Sequence, residues 1–323
     1  VASASPGNGQ ATVTFGAPAS NGGTAIATYT AVASGVGGQT GSCPGPAACT
    51  ITVPGLTNGI SYSFNVSATN SAGLTGPAAT SNNVTPQSTQ TISFTPAASY
   101  NFGTTPTLTA TSSAGGSYPV SFTSTTTGVC TITPTGTLTF VTAGSCTINA
   151  NQPGNAATSA APQVSQTFNV NAIAPDVPVI GTVTTADAQA TVNFTASAGS
   201  GGAPITGYTV TATPLVVPGA PAVTTQTGTA SPIVVTGLAN GFAYSFTVKA
   251  TNGAQTSADS AAVQGTPRKL ELVGAPGSVP GMSGTPTTTL SGGGSTCTLQ
   301  ASGGFGPAAA TPPGLQAPNG QFA

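Results

Sequence analysis

The stretch Gly55-Leu-Thr-Asn-Gly-Ile-Ser-Tyr-Ser-Phe-Asn-Val-Ser-Ala-Thr-Asn70 decides the fold of this chain. From Tyr62 to Ala68 the apolar side chains fall on every second position, which places them on one face of a half-buried strand. The Asn58-Gly59 pair just before this run is typical of a tight turn, because glycine adopts a positive φ without strain. The stretch therefore predicts a turn that leads into a β-strand.

A near-copy of this stretch occurs at residues 237–252, so the chain contains an internal repeat. Residues 53–64 recur as 235–246 at an offset of 182, whereas residues 10–15 recur as 189–194 at an offset of 179. A net three residues are therefore inserted between these two blocks in the second copy. Because self-similarity at a near-constant offset marks a repeated structural unit, we infer two copies of one domain that flank a different middle segment.

Both copies are punctuated by Asn-Gly pairs, which favour tight turns between strands. The pairs begin at Asn8, Asn21, Asn58, Asn240 and Asn252. No window has a convincing 3.6-residue apolar stripe, and Thr, Val and Gly dominate where helix-forming residues would be needed. The predicted fold class is all-β, with several short strands per unit, which favours tandem β-sandwiches.

The stretch at 55–70 resembles the E–F region of a bacterial fibronectin type III domain, and residues 237–252 carry the same pattern. The resemblance implies that the Leu packs inside and that the Tyr forms a tyrosine corner, in which its hydroxyl returns to nearby backbone. Residues 1–87 and 173–267 are each similar to one such domain, with Phe where the family usually carries a core Trp. The expected core residues are Phe15, Leu56, Tyr62, Phe64, Phe194, Leu238, Tyr244 and Phe246.

Residues 88–172 resemble a different bacterial Ig-like repeat, which occurs in tandem arrays of secreted proteins. The resemblance is carried by Gln90-Thr-Ile-Ser-Phe94, Tyr118-Pro-Val-Ser-Phe122, Gly128-Val-Cys-Thr-Ile132 and Ala143-Gly-Ser-Cys-Thr-Ile148. Cys130 and Cys146 occupy similar positions in two neighbouring strand-like runs. We therefore expect a cross-strand disulfide between them.

Residues 268–323 are dense in Gly and Pro, although Thr287-Thr-Thr-Leu290 and Thr296-Cys-Thr-Leu299 look strand-like. The stretch from Gly303 to Phe322 is similar to a short β-domain that precedes C-terminal sorting segments in Gram-negative surface proteins. That domain normally continues with more strands. We therefore expect a Gly/Pro-rich partial β-domain or an assembly tail.

Five cysteines cannot all pair within one chain. Cys43 and Cys49 bracket a small loop that a disulfide could staple, and Cys130 with Cys146 makes a second pair. Cys297 is left over, and its partner is either beyond the last residue or in another subunit. Disulfides imply an oxidising compartment, and the spacings match no zinc pattern. The predicted location is extracellular, at the bacterial cell surface.

Only seven side chains in 323 residues are charged, three Lys or Arg and four Asp or Glu, and there is no His. Three cations cannot form the basic surface of a nucleic-acid binder. Acid–base catalysis and transition-metal binding lack imidazole, and a calcium loop lacks clustered acids. We therefore assign no catalytic, cofactor-binding or metal-binding residue and predict that the chain is not an enzyme. No apolar run is long enough to span a membrane.

The near absence of charge is the main indication of function. Two such surfaces meet with little repulsion and little charge desolvation, and neutral β edges pair readily unless they are covered. The sequence therefore predicts a structural subunit of an extracellular bacterial filament, sheath or surface layer, with itself as the partner and with contacts nearly insensitive to salt. Strand donation between subunits is a further expectation, because both ends resemble incomplete β-domains.

The alternative is a cell-surface adhesin or a spacer stalk that presents another domain, with other surface components or glycans as partners. Glycan binding favours exposed aromatic side chains, but aromatic residues are 6% of the chain and Trp is absent. A third interpretation is the accessory stalk of a secreted hydrolase. Composition favours the polymer.

Overall fold

The computed structural model describes residues 2–35, 37–115, 119–215 and 218–269, together with the backbone of two strands at 288–291 and 298–301. Within these residues every regular element is a β-strand. The chain divides into two compact units, Val1–Asn171 and Ala172–Ala323. The expectations for Tyr118, Cys297 and most of residues 268–323 lie outside the described residues.

The first sandwich occupies the beginning of the first unit. Its strands are β1 (Ala2–Pro6), β2 (Gln10–Phe15), β3 (Ile26–Ser34), β4 (Thr40–Pro44), β5 (Thr50–Pro54), β6 (Ser63–Asn70) and β7 (Ala79–Thr80). One sheet has the order β1-β2-β5 and the other the order β4-β3-β6-β7. Tyr29, Ile51, Val53 and Phe64 fill the space between the sheets and are almost completely buried. The alternation that predicted β6 therefore places its apolar face in this core.

The second sandwich completes the first unit. Its strands are β8 (Ile92–Ser93), β9 (Ser99–Asn101), β10 (Thr111–Ser112), β11 (Ser121–Ser124), β12 (Cys130–Ile132), β13 (Leu138–Phe140), β14 (Gly144–Asn151) and β15 (Val164–Asn171). The main sheet has the order β11-β14-β15-β9, in which β9 runs parallel to β15, and two-stranded sheets β8-β10 and β12-β13 lie beside it. Its separate core includes Phe122, Leu138, Ile148 and Phe168.

The third sandwich belongs to the second unit and repeats the sheet orders of the first. Its strands are β16 (Val179–Ala186), β17 (Gln189–Thr195), β18 (Gly207–Pro214), β19 (Thr224–Gly228), β20 (Ile233–Thr236), β21 (Tyr244–Thr251) and β22 (Val263–Gly265). The sheets are β16-β17-β20 and β19-β18-β21-β22. Further on, β23 (Thr288–Ser291) and β24 (Thr298–Ala301) form an antiparallel pair.

The structure explains the change of offset between the two copies. Tyr29 pairs with Cys43, whereas its counterpart Tyr208 pairs with Gly228, so the connection before β19 is six residues longer than the one before β4. The connection that follows is three residues shorter, because it lacks the loop closed by Cys49. The net insertion of three residues therefore combines six residues added before β19 with three residues lost after it.

The glycines of the Asn-Gly pairs all adopt positive φ. Their φ angles are 65° at Gly9, 67° at Gly22, 87° at Gly59, 84° at Gly241 and 80° at Gly253. A side chain with a Cβ is strained in this region, which explains why glycine follows asparagine at these turns.

Phe15 differs from the other expected core residues because it is only half-buried, whereas Phe194 keeps 8% of its surface exposed. Ala2 lies opposite Phe15 on the neighbouring strand, and Ile180 lies opposite Phe194. Because alanine covers less of a ring than isoleucine does, Phe15 remains open to solvent at the edge of its core. Phe15 nevertheless packs against the first core, with its ring centroid 4.9 Å from that of Tyr29. The remaining expected residues are buried, namely Leu56, Tyr62, Phe64, Leu238, Tyr244 and Phe246.

Candidate functional site

The first and third sandwiches contain the same tyrosine corner. The Tyr62 hydroxyl accepts a hydrogen bond from the backbone N–H of Thr57 at 3.1 Å. The Tyr244 hydroxyl accepts one from the N–H of Ala239 at 2.9 Å. Each corner fixes the connection that carries the Asn-Gly turn, and so it positions one end of the sandwich.

In the first sandwich, Asn58 ties this turn to the β1–β2 turn. Its Oδ1 accepts a hydrogen bond from the N–H of Gly9 at 2.9 Å, and its Nδ2 donates to Oδ1 of Asn8 at 2.8 Å. The N–H of Leu56 donates to the carbonyl of Gly9 at 2.9 Å. We call the surface formed by Asn8, Gly59, Gln87 and Ser88 the first end surface.

The second sandwich docks on the first end surface through residues 152–159, which we call the docking loop. The N–H of Gln87 donates to the carbonyl of Gly7 at 3.2 Å in the first sandwich. Its side-chain Nε2 donates to the carbonyls of Asn155 at 3.0 Å and Ala156 at 3.2 Å in the docking loop. One glutamine therefore holds both sandwiches, and no charged group takes part.

Ser88 adds a short parallel bridge to the same contact. Its N–H donates to the carbonyl of Ala157 at 2.9 Å, and its carbonyl accepts from the N–H of Ser159 at 2.9 Å. Ala157 also packs against the Asn-Gly turn: a Cβ placed on Gly59 would lie 3.1 Å from the Cβ of Ala157 and 3.2 Å from its Cα. The approach is close enough that only glycine fits without displacing the loop.

Two buried glutamines set the shape of the docking loop. Gln90 and Gln152 are 3% and 5% exposed, and Nε2 of Gln90 donates to Oε1 of Gln152. Nε2 of Gln90 also donates to the carbonyl of Ser159 at 2.8 Å, and the N–H of Gly154 donates to Oε1 of Gln152 at 2.7 Å. Because buried amides are stabilised only when they are hydrogen-bonded, this network holds the loop in one conformation.

The third sandwich has the same turn, but among the described residues nothing packs on it as Ala157 packs on Gly59. The N–H of Gly241 donates to the carbonyl of Pro267 at 2.8 Å, as the N–H of Gly59 does to Pro86 at 2.9 Å. However, a Cβ on Gly241 would meet no described atom within 4 Å. Residues after the shared proline also differ, because Arg268 and Lys269 stand where the first sandwich has Gln87 and Ser88.

The β16–β17 turn adds a third charge to this second end surface. Asn240 Oδ1 accepts from the N–H of Ala188 at 3.0 Å, and its Nδ2 donates to Oδ1 of Asp187 at 2.7 Å, where the first sandwich has Asn8. Asp187, Arg268 and Lys269 are exposed. Three uncharged positions of the first end surface are thus charged on the second end surface.

Charge is confined to the later part of the chain. The first charged side chain in the sequence is Asp176, so the sandwiches of the first unit contain none. Among the described residues one ion pair forms, between Nζ of Lys249 and Oδ2 of Asp259 at 3.3 Å. Lys249 alternates with buried residues along β21, and its side chain is 38% exposed. Asp259 was not expected as its partner, because it lies outside the repeated strand.

Two disulfides form among the described residues. Cys43 is joined to Cys49, with 6.5 Å between the Cα atoms, and this bond closes the loop that follows β4. Cys130 is joined to Cys146, with 5.9 Å between the Cα atoms, and it links β12 to β14 inside the second core. Cys297 lies outside the described residues.

Strands β4 and β19 occupy equivalent edges of their sheets, but they differ in sequence. Strand β4 contains Cys43, which is disulfide-bonded, and ends at Pro44, whereas β19 pairs on one side with β18 and has neither residue. Among the described strands, β19 is the one edge strand of five or more residues that has no proline, cysteine, bulge or charge. Beside it, Val223 is 55% exposed and Val234 is 42% exposed.

The part of the chain that the structure describes has no helix with the length and apolarity that a membrane span needs. The same residues contain no group of three or more His, Cys, Asp or Glu side chains that could hold a metal ion.

The third sandwich is similar to a known domain family. Residues 174–266 match the family model of the fibronectin type III domain. This match covers the third sandwich. The described part of the chain is all-β, in tandem sandwiches, and fibronectin type III domains are typically structural modules rather than enzymes.

The solved structures that match the chain have low sequence identity and low TM-scores. The chicken CNTN1 FN1–FN3 domains are 12% identical, with 82% of this chain and 96% of that chain covered and a TM-score of 0.25. Domains A168–A170 of titin are 15% identical, with 76% and 94% covered and a TM-score of 0.29. No curated protein matches the chain.

The contact between the first two sandwiches was not foreseen in the sequence. Gln87 and Ala157 belong to irregular segments without periodicity, so no strand pattern singled them out. The available signal was the repeat itself: aligning Pro86 with Pro267 shows neutral residues beside one end surface and charged residues beside the other.

Proposed function

We propose that this chain is a non-enzymatic structural subunit of an extracellular bacterial assembly, such as a filament, sheath or surface layer. Its subunits meet through uncharged β-sandwich surfaces. The observation that carries this proposal is the absence of any charged side chain before Asp176.

The surface of a soluble protein normally carries charge. A small soluble domain usually carries many charges of both signs, which keep copies apart. Removing a charge from water costs several kcal/mol, so a surface without charges is buried against a partner at much lower cost. A surface built almost wholly from Thr, Ser, Asn, Gln and small apolar residues therefore favours contact with another surface of the same kind.

The compartment follows from the cysteines and the sandwich type. Two disulfides in the described residues favour an oxidising environment, and fibronectin type III domains are consistent with an extracellular structural or adhesive role. The bacterial cell surface is supported by the resemblance of residues 88–172 to bacterial Ig-like repeats and of residues 303–322 to the β-domain that precedes sorting segments.

Strand β19 is the contact strand that we propose for self-assembly. Its unpaired backbone groups can add a strand from a second copy, since an exposed neutral edge is a template for pairing. Its side chains present no charge that would select another partner. Strand donation at the chain ends and an intersubunit bond through Cys297 stay predictions.

Electron microscopy of native cell-surface material, sheared without reductant, tests the proposal. Regular filaments or sheets that contain this chain are expected. Dispersed monomers only would contradict the assembly, and the adhesin or spacer stalk, which tandem sandwiches also suit, would replace it.

A further inference from the structure

We infer that the first end surface is a specific docking surface for the uncharged loop of an Ig-like sandwich, and that it makes the two sandwiches of the first unit one rigid body. The charge of the surface decides whether docking occurs. The inference deepens the structural role proposed above, because a subunit that transmits force or keeps a fixed spacing needs a defined joint.

Close packing at Gly59 restricts movement between the two sandwiches. Two sandwiches joined by a short linker are expected to move relative to each other unless a specific contact holds them. Here Ala157 lies against Gly59, and a Cβ at Gly59 would be 3.1 Å from the Cβ of Ala157. The close fit leaves no room for the second sandwich to shift toward the turn.

Hydrogen bonds also hold the two sandwiches together. Gln87 bonds the backbone of both sandwiches, and Ser88 exchanges two backbone hydrogen bonds with the docking loop. The loop is itself fixed by the buried amides of Gln90 and Gln152. Both sides of the contact are therefore preorganised, so that docking orders few further groups.

The first and second end surfaces differ in charge. The second end surface keeps the turn at Gly241 and its bond to Pro267, but it carries Asp187, Arg268 and Lys269. Docking an uncharged loop there would remove these charges from water without giving them partners. Charge at the rim therefore keeps that end solvated, and neutrality permits docking at the other.

The two turns provide a matched experiment in the full-length chain. Nitroxide labels, attached through a non-natural amino acid so that the disulfides stay intact, replace Leu74 and Val141, which are 66% and 49% exposed. Pulsed electron resonance then measures the width of the distance distribution between the two sandwiches. Both Gly59→Leu and Gly241→Leu introduce a side chain at positive φ, but only the first meets the docking loop.

We expect Gly59→Leu to broaden the distribution about twofold, and Gly241→Leu to leave the wild-type width, since only the first releases a domain contact. Equal widths in the two variants would overturn the inference. The measurement uses dilute protein, so it does not depend on assembly. It can contradict docking while microscopy still shows assemblies, and it can support docking where microscopy shows none.

A second variant leaves the turn untouched. Gln87→Glu has the same shape but faces the carbonyls of Asn155 and Ala156 with an acceptor instead of a donor. We expect a broadened distribution at neutral pH that narrows below about pH 4, where the carboxyl is protonated and donates again. Gln264→Glu, on exposed β22, is the control and should keep the wild-type width at both pH values. A wild-type width for Gln87→Glu at neutral pH would contradict the role of Gln87.

Discussion

The hydroxyl of Tyr62 accepts a hydrogen bond from the backbone N–H of Thr57, five residues earlier, at 3.1 Å. The tyrosine ring is 2% exposed, so this bond forms at the boundary of the core. It fixes the connection from β5 to β6 and with it the turn at Gly59, on which the second sandwich docks. A local contact of the first core thereby positions the joint of the first unit.

Removing this hydroxyl should weaken the sandwich without changing its fold. Tyr62→Phe leaves the N–H of Thr57 without its partner and is expected to lower the free energy of unfolding of the first unit by about 1–2 kcal/mol. Tyr244→Phe should do the same in the second unit. Urea unfolding followed by amide signals of each unit measures both. Tyr208→Phe, which removes a hydroxyl outside the corner, is the control, and an equal loss there would contradict the role of the corner.

The β1–β2 and β16–β17 turns should respond in opposite ways to exchange of glycine and alanine. Gly9 has φ 65° and Ala188, its counterpart, has φ 53°. Because a Cβ at positive φ costs about 1–2 kcal/mol, Gly9→Ala is expected to destabilise the first unit by about 1 kcal/mol. Ala188→Gly should stabilise the second unit by less than about 1 kcal/mol, since the added chain entropy of glycine offsets part of the gain. Thermal unfolding of the two variants checks the signs, and a loss of stability in Ala188→Gly would contradict this account.

The two disulfides should contribute unequally to stability. Cys130 and Cys146 are buried in the second core and close a 16-residue separation, whereas Cys43 and Cys49 are half-buried and close a separation of 6. Replacing Cys130 and Cys146 by Ala is expected to lower the free energy of unfolding by about 3 kcal/mol from chain entropy, with a further loss from the cavity left in the core. Replacing Cys43 and Cys49 by Ala should lower it by about 2 kcal/mol. Denaturant unfolding of the two double variants measures the difference, and a larger loss for the surface pair would contradict the ranking.

The open edge of β19 should tolerate no charge if it carries the contact between subunits. Gln226→Lys places an ammonium group in the middle of this strand, where an added strand would have to cover it. We expect folding to be unchanged and assembly to be lost. Ser42→Lys on β4, the equivalent edge strand that contains Cys43 and Pro44, is the control and should assemble as the wild type does. Normal assembly of Gln226→Lys would show that another surface makes the contact.

Much of the fold follows from local patterns. The alternation from Tyr62 to Ala68 and the repeated Asn-Gly pairs depend only on side-chain direction and on the φ angle of glycine, so the sequence is sufficient for them. The degree of burial does not follow in this way: Phe15 packs against its core but is less buried than Phe194, because burial depends on the residue opposite, Ala2, which belongs to a different strand.

The joint between the first two sandwiches could not be obtained in this way. Gln87 and Ala156 are 69 positions apart, and their hydrogen bond depends on how two separately folded cores meet. The partner of Lys249 was missed for a similar reason, because Asp259 lies after the strand, in a segment without alternation. Long-range contacts between irregular segments leave no periodic signal.

The dependence of assembly on salt tests the central claim most directly. Sedimentation velocity of the purified full-length protein gives the dissociation constant while added NaCl shortens the Debye length from about 10 Å to about 3 Å. Contacts between uncharged β-sandwich surfaces predict a dissociation constant that is nearly constant over this range. A dissociation constant that rises steeply with ionic strength would show that the few charged side chains hold the subunits together, and it would contradict the account.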